Sequence, residues 1–181
     1  DRAEKETTQP PRDWKGEAND GMGRLLLSYG KPARVVEGMK RMLRDSYGRL
    51  ISYLRISVTD RCNLRCVYCL PATGVRWMPR DEVLRYEEIA AVVRAALRLG
   101  ISHVRLTGGE PLVREGLVEL VRMLAAVPHL EDLSLTTNGV LLADQAQALR
   151  AAGLRRINVS LDTLRPDRFR QITRFGEITD V

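Results

Sequence analysis

The sequence is poor in the residues that mark several classes of protein. Only 5% of its 181 residues are aromatic, and it contains only two histidines. No run of about 18 uninterrupted apolar residues occurs, so no segment has the length and character of a membrane-spanning helix. A charged start followed by an apolar segment, which is typical of a secretory signal, is also missing. We therefore expect no membrane partner.

Cysteine is scarce as well, and its placement argues against a disulfide framework. The three cysteines fall within eight residues, and an odd, clustered set indicates metal or redox chemistry in a reducing cytoplasm. The formal charge of +6 suits an anionic ligand such as a nucleotide triphosphate. Because no basic run is interleaved with aromatic residues, we do not expect nucleic acid as a partner.

Two parts of the chain differ in composition. Residues 1–45 are polar and rich in turn-forming residues, and we interpret them as a disordered or non-native leader. Residues 46–181 alternate strands with helices of about ten residues, which predicts right-handed βαβ units and a parallel sheet. The strands are expected at 51–58, 103–108, 130–138 and 156–162. The helices are expected to begin near Glu87, Leu117, 142 and Pro166.

One face of every predicted strand is polar. Since side chains alternate across a strand, the aliphatic residues between the polar ones share the opposite face, which helices would cover. This pattern predicts a curved, open α/β barrel whose lumen holds a polar ligand. A half-solvated antiparallel sheet is the alternative, although the intervening helices argue against it. The polar set is Arg55, Ser57, Thr59, Arg105, Thr107, Ser134, Thr136, Asn138, Asn158, Ser160 and Asp162.

A compact loop of three cysteines follows the first strand. Cys62, Cys66 and Cys69 are spaced by four and three residues, so a short loop can direct three thiolates to one point. Thiolates suit zinc or iron–sulfur clusters, and three on a four-iron cluster leave one iron for a chelating small molecule. Zinc normally requires a fourth protein ligand, for which only His103 and His129 are available. A simple dithiol would leave Cys62 unexplained.

The motif Cx3Cx2C, with Tyr68 before its last cysteine, resembles the signature of the radical S-adenosylmethionine (SAM) superfamily. Gly108-Gly109-Glu110-Pro111 after the second strand is similar to the second motif of that superfamily. The resemblance implies a partial (βα)6 open barrel of about four βα units, a [4Fe–4S] cluster on the three cysteines, and SAM on the vacant iron. Glycine would let the cofactor approach the backbone, and a carboxylate would pair with its ammonium group. The residues implied to contact SAM are Tyr68, Gly109, Glu110 and Ser160.

The flanking segments, together with LTTNG and INVSLDTL, resemble the first half of the GTP 3′,8-cyclase family of molybdenum-cofactor biosynthesis. This resemblance covers about residues 45–181 and implies that Arg55, Arg105 and Thr136 contact GTP. It also implies a 5′-deoxyadenosyl radical, formed with an external one-electron reductant, that abstracts the 3′ hydrogen of the ribose. The product would be 3′,8-cyclo-7,8-dihydro-GTP, and no side chain is assigned acid–base catalysis.

The chain carries only part of that family's pattern. Full-length members hold a second [4Fe–4S] cluster through a later cysteine triplet, and no cysteine follows Cys69 here, so we expect a fragment. The activity of the fragment and its oligomeric state, including a homodimer, stay open. Another radical SAM enzyme, such as one that modifies peptides, is an alternative. A non-catalytic iron–sulfur or zinc-binding module is a second.

Ordinary structural roles are the alternatives for the individual site residues. Salt bridges would explain Arg55 and Arg105 without any ligand. A turn would explain the segment 136–139, since Asn-Gly is a common turn dipeptide. A packed polar core would explain Ser160 and Asp162. These alternatives are open at the level of sequence.

Overall fold

A parallel sheet forms the centre of the part that the structure describes, residues 42–181 of a computed structural model. Within that part the sheet has four strands in the order β1-β2-β3-β4, and every neighbouring pair is parallel. The prediction of βαβ units is confirmed, and the antiparallel alternative is wrong. Most of the leader predicted over 1–45 lies outside the described residues. The strands are β1 (Tyr53–Ser57), β2 (His103–Thr107), β3 (Asp132–Thr137) and β4 (Arg156–Val159).

A helix follows each described strand, as the periodicity predicted. The first begins where the backbone N–H of Arg85 donates to the Glu88 carboxylate at 2.7 Å, and Gly100 lies just beyond its end with φ +93. A proline in its first turn starts the last helix. No helix over residues 42–181 has the length and apolar character needed to cross a bilayer. The helices are α1 (Tyr86–Arg98), α2 (Leu117–Ala125), α3 (Leu142–Ala151) and α4 (Pro166–Thr173).

Helices α1, α2 and α3 cover the aliphatic face of the first three strands. Leu106 and Leu135 on the strands pack in one core with Val93, Leu120 and Leu149 on the helices, and all five are buried. Burying such side chains contributes about 1.5–3 kcal/mol each relative to leaving them exposed. The core therefore fixes the sheet from its aliphatic side.

Strand β4 does not share this cover. All four of its residues are exposed, including Ile157 at 38% and Val159 at 45%. Helix α4 turns back toward the cysteine loop, where the Val67 N–H donates to the Ile172 carbonyl at 2.8 Å. The helix cover predicted for every strand is thus present on β1 to β3 and missing from β4 within the described residues.

The start of the described chain is tied to the end of α1. The Leu43 N–H donates to the Leu99 carbonyl at 3.1 Å, and the Ile51 N–H donates to the Leu43 carbonyl at 2.9 Å. Arg44 and Leu50 form an antiparallel bridge. Residues 43–51 therefore form a small hairpin that leads directly into β1.

Candidate functional site

The cysteine loop leaves the carboxyl end of β1, the edge where ligands gather in parallel sheets. Cys62 and Cys66 are half-buried, Cys69 is exposed, and all three thiols are free. The N–H groups of Cys69 and Leu70 donate to the Cys66 carbonyl at 2.9 and 3.0 Å, which makes one turn carrying two of the thiols. Over residues 42–181 no three His, Cys, Asp or Glu side chains are closed into a metal-binding arrangement.

Burial raises the pKa of the Cys62 thiol, and the Leu64 N–H, which lies 3.4 Å from the sulfur, opposes this effect. Negative charge on Glu110, Cys66 and Cys69 raises the pKa of Cys62 further. Burial also raises the pKa of Cys66. Because a metal binds the thiolate, loading this loop must release protons.

The chemistry of the donors fits an iron–sulfur cluster better than structural zinc. Cluster iron takes thiolate ligands, and all three donors of the loop are sulfur. The two histidines do not complete a zinc site among the described residues. His129 lies before β3 and His103 begins β2, so both are at the amino edge of the sheet, opposite the cysteines. The His103 Nδ1 lies 2.8 Å from the Ser102 hydroxyl, an ordinary structural contact.

The glycines of the second motif accommodate the protein's own backbone. The Gly109 N–H donates to the Thr59 carbonyl and the Glu110 N–H to the Arg61 carbonyl, each at 2.8 Å. A Cβ on Gly109 would lie 2.3 Å from the Arg61 carbonyl oxygen, and one on Gly108 would lie 2.4 Å from that of Thr59. These glycines therefore let the cysteine loop cross the end of β2. Contact between Gly109 and SAM stays a prediction.

Glu110 is buried at this edge of the sheet, where it links two neighbouring strands. Its side chain is among the fully buried ones, with the residue 1% exposed. One carboxylate oxygen accepts from the Leu112 N–H at 3.0 Å and the Thr137 hydroxyl at 2.8 Å. The other oxygen accepts from the Asn138 N–H at 2.7 Å. Glu110 thus joins the ends of β2 and β3, while its contact with the SAM ammonium stays a prediction.

Asn138 extends this connection to the cysteines. Its Nδ2 donates to Asn63 Oδ1 at 2.7 Å and lies 4.0 Å from Cys62 Sγ. In the sequence Asn138 appeared only as a turn residue on the polar face. The sequence signal that could have identified this contact is its position two residues after Thr136, on the same face of the strand and at the strand end.

The two arginines lie side by side on the sheet. Arg55 and Arg105 are Cα partners in neighbouring strands, and neither forms a salt bridge within residues 42–181. Arg105 Nε donates to the Ser134 hydroxyl at 3.3 Å, and its guanidinium lies 5.5 Å from the centre of the Tyr53 ring. In the described structure neither arginine therefore has the carboxylate partner that a structural salt bridge would require.

The remaining predicted residues lie along the β3–β4 side of the same edge. Thr136 is half-buried on β3, and the Ser160 N–H donates to the Thr137 carbonyl at 2.8 Å just beyond β4. The Tyr68 hydroxyl donates to Asp162 at 2.7 Å, and this hydrogen bond raises the pKa of Tyr68. The fold thus brings the cysteine loop to the end of β4, 94 residues later.

A further arginine, unmarked in the sequence, holds the outer side of the cysteine loop. Arg174 Nη1 donates to the carbonyls of Arg65 and Leu70 at 3.1 and 2.8 Å. Its backbone is left-handed, with φ 61, which is uncommon outside glycine. The Arg65 guanidinium lies 4.9 Å from the centre of the Trp77 ring. The contacts of Arg174 with the loop and of Arg65 with Trp77 arise from tertiary folding, so no local sequence motif could have predicted them.

The parallel βα sheet, the three-cysteine loop after β1 and the Gly-Gly-Glu turn after β2 define a class of protein. The chain belongs to the Radical SAM superfamily, whose family model matches residues 56–180, more than half of the chain.

Among curated proteins, the chain is similar to three named GTP 3′,8-cyclase. It is 61% identical over 136 residues to the one from Pelotomaculum thermopropionicum, covering 75% of this chain and 42% of that protein. Identity to the Moorella thermoacetica protein is 59% over 139 residues, covering 77% and 43%. Identity to the Petrotoga mobilis protein is 56% over 135 residues, covering 75% and 42%. The chain therefore spans less than half the length of these relatives.

Among solved structures, the chain is similar to BtrN in complex with AdoMet and 2-DOIA. The TM-score is 0.49 and the sequence identity 21%, over 73% of this chain and 54% of that one.

Proposed function

We propose that the chain is the radical SAM part of a GTP 3′,8-cyclase, acting in the biosynthesis of the molybdenum cofactor. The observation that carries this proposal is the identity of 56–61% to three relatives of that name across about three-quarters of the chain. The three free thiols agree with a reducing compartment, for which we propose the cytoplasm.

The cysteine loop supplies the ligands for the first cofactor. Cys62, Cys66 and Cys69 would hold a [4Fe–4S] cluster, and the raised thiol pKa values of Cys62 and Cys66 make its assembly a proton-releasing step. When bound, the cluster and SAM supply a one-electron reduction, fed by an external reductant, that starts hydrogen abstraction. A second [4Fe–4S] cluster, expected from the resemblance, would take its ligands from outside these 181 residues. The residues proposed to contact SAM are Tyr68, Gly109, Glu110 and Ser160.

The polar face of the sheet supplies the substrate site. Arg55 and Arg105 carry two positive charges at paired positions, and planar guanidinium groups suit the phosphates of GTP. Thr136, on the next strand of the same face, would contact the substrate with its hydroxyl. These residues bind and orient GTP for conversion to 3′,8-cyclo-7,8-dihydro-GTP, and none of them has to move a proton in the first step.

Anaerobic reconstitution of the chain with iron and sulfide tests the proposal. With dithionite and SAM, we expect release of 5′-deoxyadenosine from the chain. With GTP added, we expect the cyclised nucleotide in a chromatographic assay of a protein that also carries the ligands of the second cluster. A chain that holds a cluster and cleaves SAM, yet does not bind GTP, would indicate another radical SAM enzyme. A folded chain that takes up no cluster would contradict both the proposed cyclase and the alternative radical SAM enzyme.

Binding of GTP can be measured separately from turnover. Replacing Arg55 and Arg105 by Gln removes two positive charges, and we expect GTP affinity to fall about 10- to 100-fold, or about 1.4 kcal/mol per tenfold. Titration calorimetry of the reconstituted chain measures the change. Arg94→Gln, which removes one charge from the exposed surface of α1, is the control. Equal affinity in the double variant and the control would contradict the proposed phosphate site.

A further inference from the structure

The side chain of Asn138 is the feature that the proposed function leaves unused. It is half-buried and lies between the end of β3 and the cysteine loop. Its Nδ2 donates to Asn63 Oδ1 at 2.7 Å and lies 4.0 Å from Cys62 Sγ. No other side-chain N–H approaches the Cys62 sulfur among the described hydrogen bonds. The backbone N–H of Leu64 lies 3.4 Å from the sulfur, and the thiol itself lies 4.0 Å from Asn63 Oδ1.

The surrounding contacts fix which half of the Asn138 amide faces the loop. Its Oδ1 accepts from the Val140 N–H at 3.1 Å, so the oxygen is held on the side of its own turn. Its backbone N–H donates to the buried Glu110 carboxylate at 2.7 Å, which holds the main chain. The NH2 group therefore points toward Cys62 and Asn63, and a hydrogen-bond network of this kind assigns the amide orientation.

We propose that Asn138 is a positioning residue for the proposed iron–sulfur cluster, holding the loop through Asn63 and directing an N–H toward the Cys62 sulfur. This inference rests on the proposed function, because it needs a cluster on Cys62. Outer groups that hydrogen-bond to metal ligands orient those ligands and tune the metal. Hydrogen bonds to the sulfurs are among the factors that set the potential of an iron–sulfur cluster.

The sign of the effect follows from charge. Reduction adds an electron to the cluster and its thiolates, and an N–H donor stabilises the more negative state. Asn138 should therefore raise the reduction potential, and its removal should lower it. An Asn at this position does what an Asp cannot, because both residues can accept from Val140 but only Asn donates toward Cys62.

Asn138→Asp separates the two functions of the side chain. The carboxylate keeps the shape of Asn and the acceptor for the Val140 N–H, while it removes the donor toward the sulfur. Asn63 can turn its own amide to donate to the new carboxylate, so the link to the loop is retained. Asn158→Asp is the matched control. Asn158 lies on β4 as the Cα partner of Thr136, on the same polar face of the sheet as Asn138, and the substitution adds the same charge.

The readout is the reduction potential of the reconstituted cluster, measured without SAM by electron paramagnetic resonance at set potentials. We expect the ratio of reduced to oxidised cluster at a fixed potential to fall about tenfold in Asn138→Asp relative to Asn158→Asp, which is a shift of about 59 mV for one electron. Equal potentials in the two variants would overturn the inference. A wild-type chain that holds no cluster would instead contradict the proposed function.

A second variant covers the case in which Asn138→Asp does not assemble a cluster. Asn138→Ser adds no charge, keeps a short acceptor for the turn and cannot reach Cys62, so its potential should also fall relative to Asn158→Ser. If both Asn138 variants lose iron while the urea midpoint of the apo chain is unchanged, Asn138 positions the cluster ligand. Loss of iron together with a lower urea midpoint would overturn the inference, because it indicates a general role in folding.

Discussion

Strands β3 and β4 are neighbours in one parallel ladder, yet their environments differ sharply. In β3 the side chains of Leu133, Ser134, Leu135 and Thr137 are buried, whereas every residue of β4 is exposed. β3 pairs with a strand on each side, whereas β4 pairs only with β3 among the described residues. Two features accompany the difference: β4 lies at the edge of the described sheet, and the helices that pack on the aliphatic face of β3 do not cover β4.

The same difference divides the candidate site. The cysteine loop is attached to the covered strands by hydrogen bonds that Gly109, Glu110 and Asn138 donate to Thr59, Arg61 and Asn63, which are buried or half-buried. Ser160 and Asp162 follow the exposed strand instead. The covered half is therefore preorganised around the proposed cluster site. The half beyond β4 reaches the loop through a surface bond between Tyr68 and Asp162.

A pair of core truncations provides the largest test of this comparison. Leu135→Ala removes a fully buried side chain and should lower the free energy of unfolding by about 3 kcal/mol, from lost burial and the cavity left behind. Val159→Ala, on the exposed strand, should cost less than about 1 kcal/mol. Urea denaturation followed by circular dichroism measures both losses. Similar losses would show that β4 is as buried in solution as β3.

Gly109→Ala tests the crossing of the loop over β2. The added Cβ would lie 2.3 Å from the Arg61 carbonyl oxygen, so the backbone has to shift at a cost of about 1–3 kcal/mol. We also expect the iron content after reconstitution to drop, because the displaced loop carries the cysteines. Gly74→Ala is the control, since its left-handed φ of +82 is strained for alanine but nothing lies within 4 Å. Full iron content in Gly109→Ala would contradict the crossing.

Glu110→Gln tests the buried connection between β2 and β3. The carboxylate accepts from Leu112, Thr137 and Asn138, and an amide NH2 in place of one oxygen would face a donor. We expect a loss of about 2 kcal/mol, typical of a buried polar group left without its partner. Glu119→Gln on the exposed surface of α2 changes only an exposed pair with Arg122 and should cost less than about 1 kcal/mol. A loss in Glu110→Gln no larger than in this control would contradict the connection.

Much of the covered half could be predicted from sequence, because its signals are local. Alternation along the strands placed Arg55, Arg105 and Thr136 on one face, and glycines near 100 and 153 marked the helix ends. The contacts that assemble the site could not be predicted in this way. The reach of Asn138 to Asn63 joins residues 75 apart, and only the register of the folded strands brings them together.

The exposure of β4 was missed for a related reason. Alternation shows which face of a strand is aliphatic, and Ile157 and Val159 gave the same signal as Leu133 and Leu135. Whether a helix lies over that face depends on where the next helix turns, and α4 turns toward the cysteine loop, where the Arg65 and Val67 N–H groups donate to the carbonyls of Thr173 and Ile172. Local periodicity does not show where the next helix will pack.

The smallest effect concerns the ion pair that ties β4 to β3. Arg156 donates to both carboxylate oxygens of Asp132, at 2.9 and 2.7 Å, and this bond holds the pKa of Asp132 below its ordinary value of 3.8. A lowered pKa in the folded state adds stability that is present above pH 3.8 and is lost as the pH falls through the folded value. Since the Arg156 side chain is 56% exposed, we expect only about 0.5 kcal/mol at neutral pH.

Comparison of the wild type with Arg156→Gln at several pH values measures this contribution. The difference in unfolding free energy should be largest at neutral pH and fall toward zero as the pH drops below 3.8 and through the folded-state pKa of Asp132. Arg168→Gln on the exposed surface of α4 removes the same charge and should show no such dependence. If the difference persists in acid, the ion pair does not account for it, and β4 must be held by packing that its exposed side chains do not display. The contrast between the two strands would then be smaller than their burial indicates.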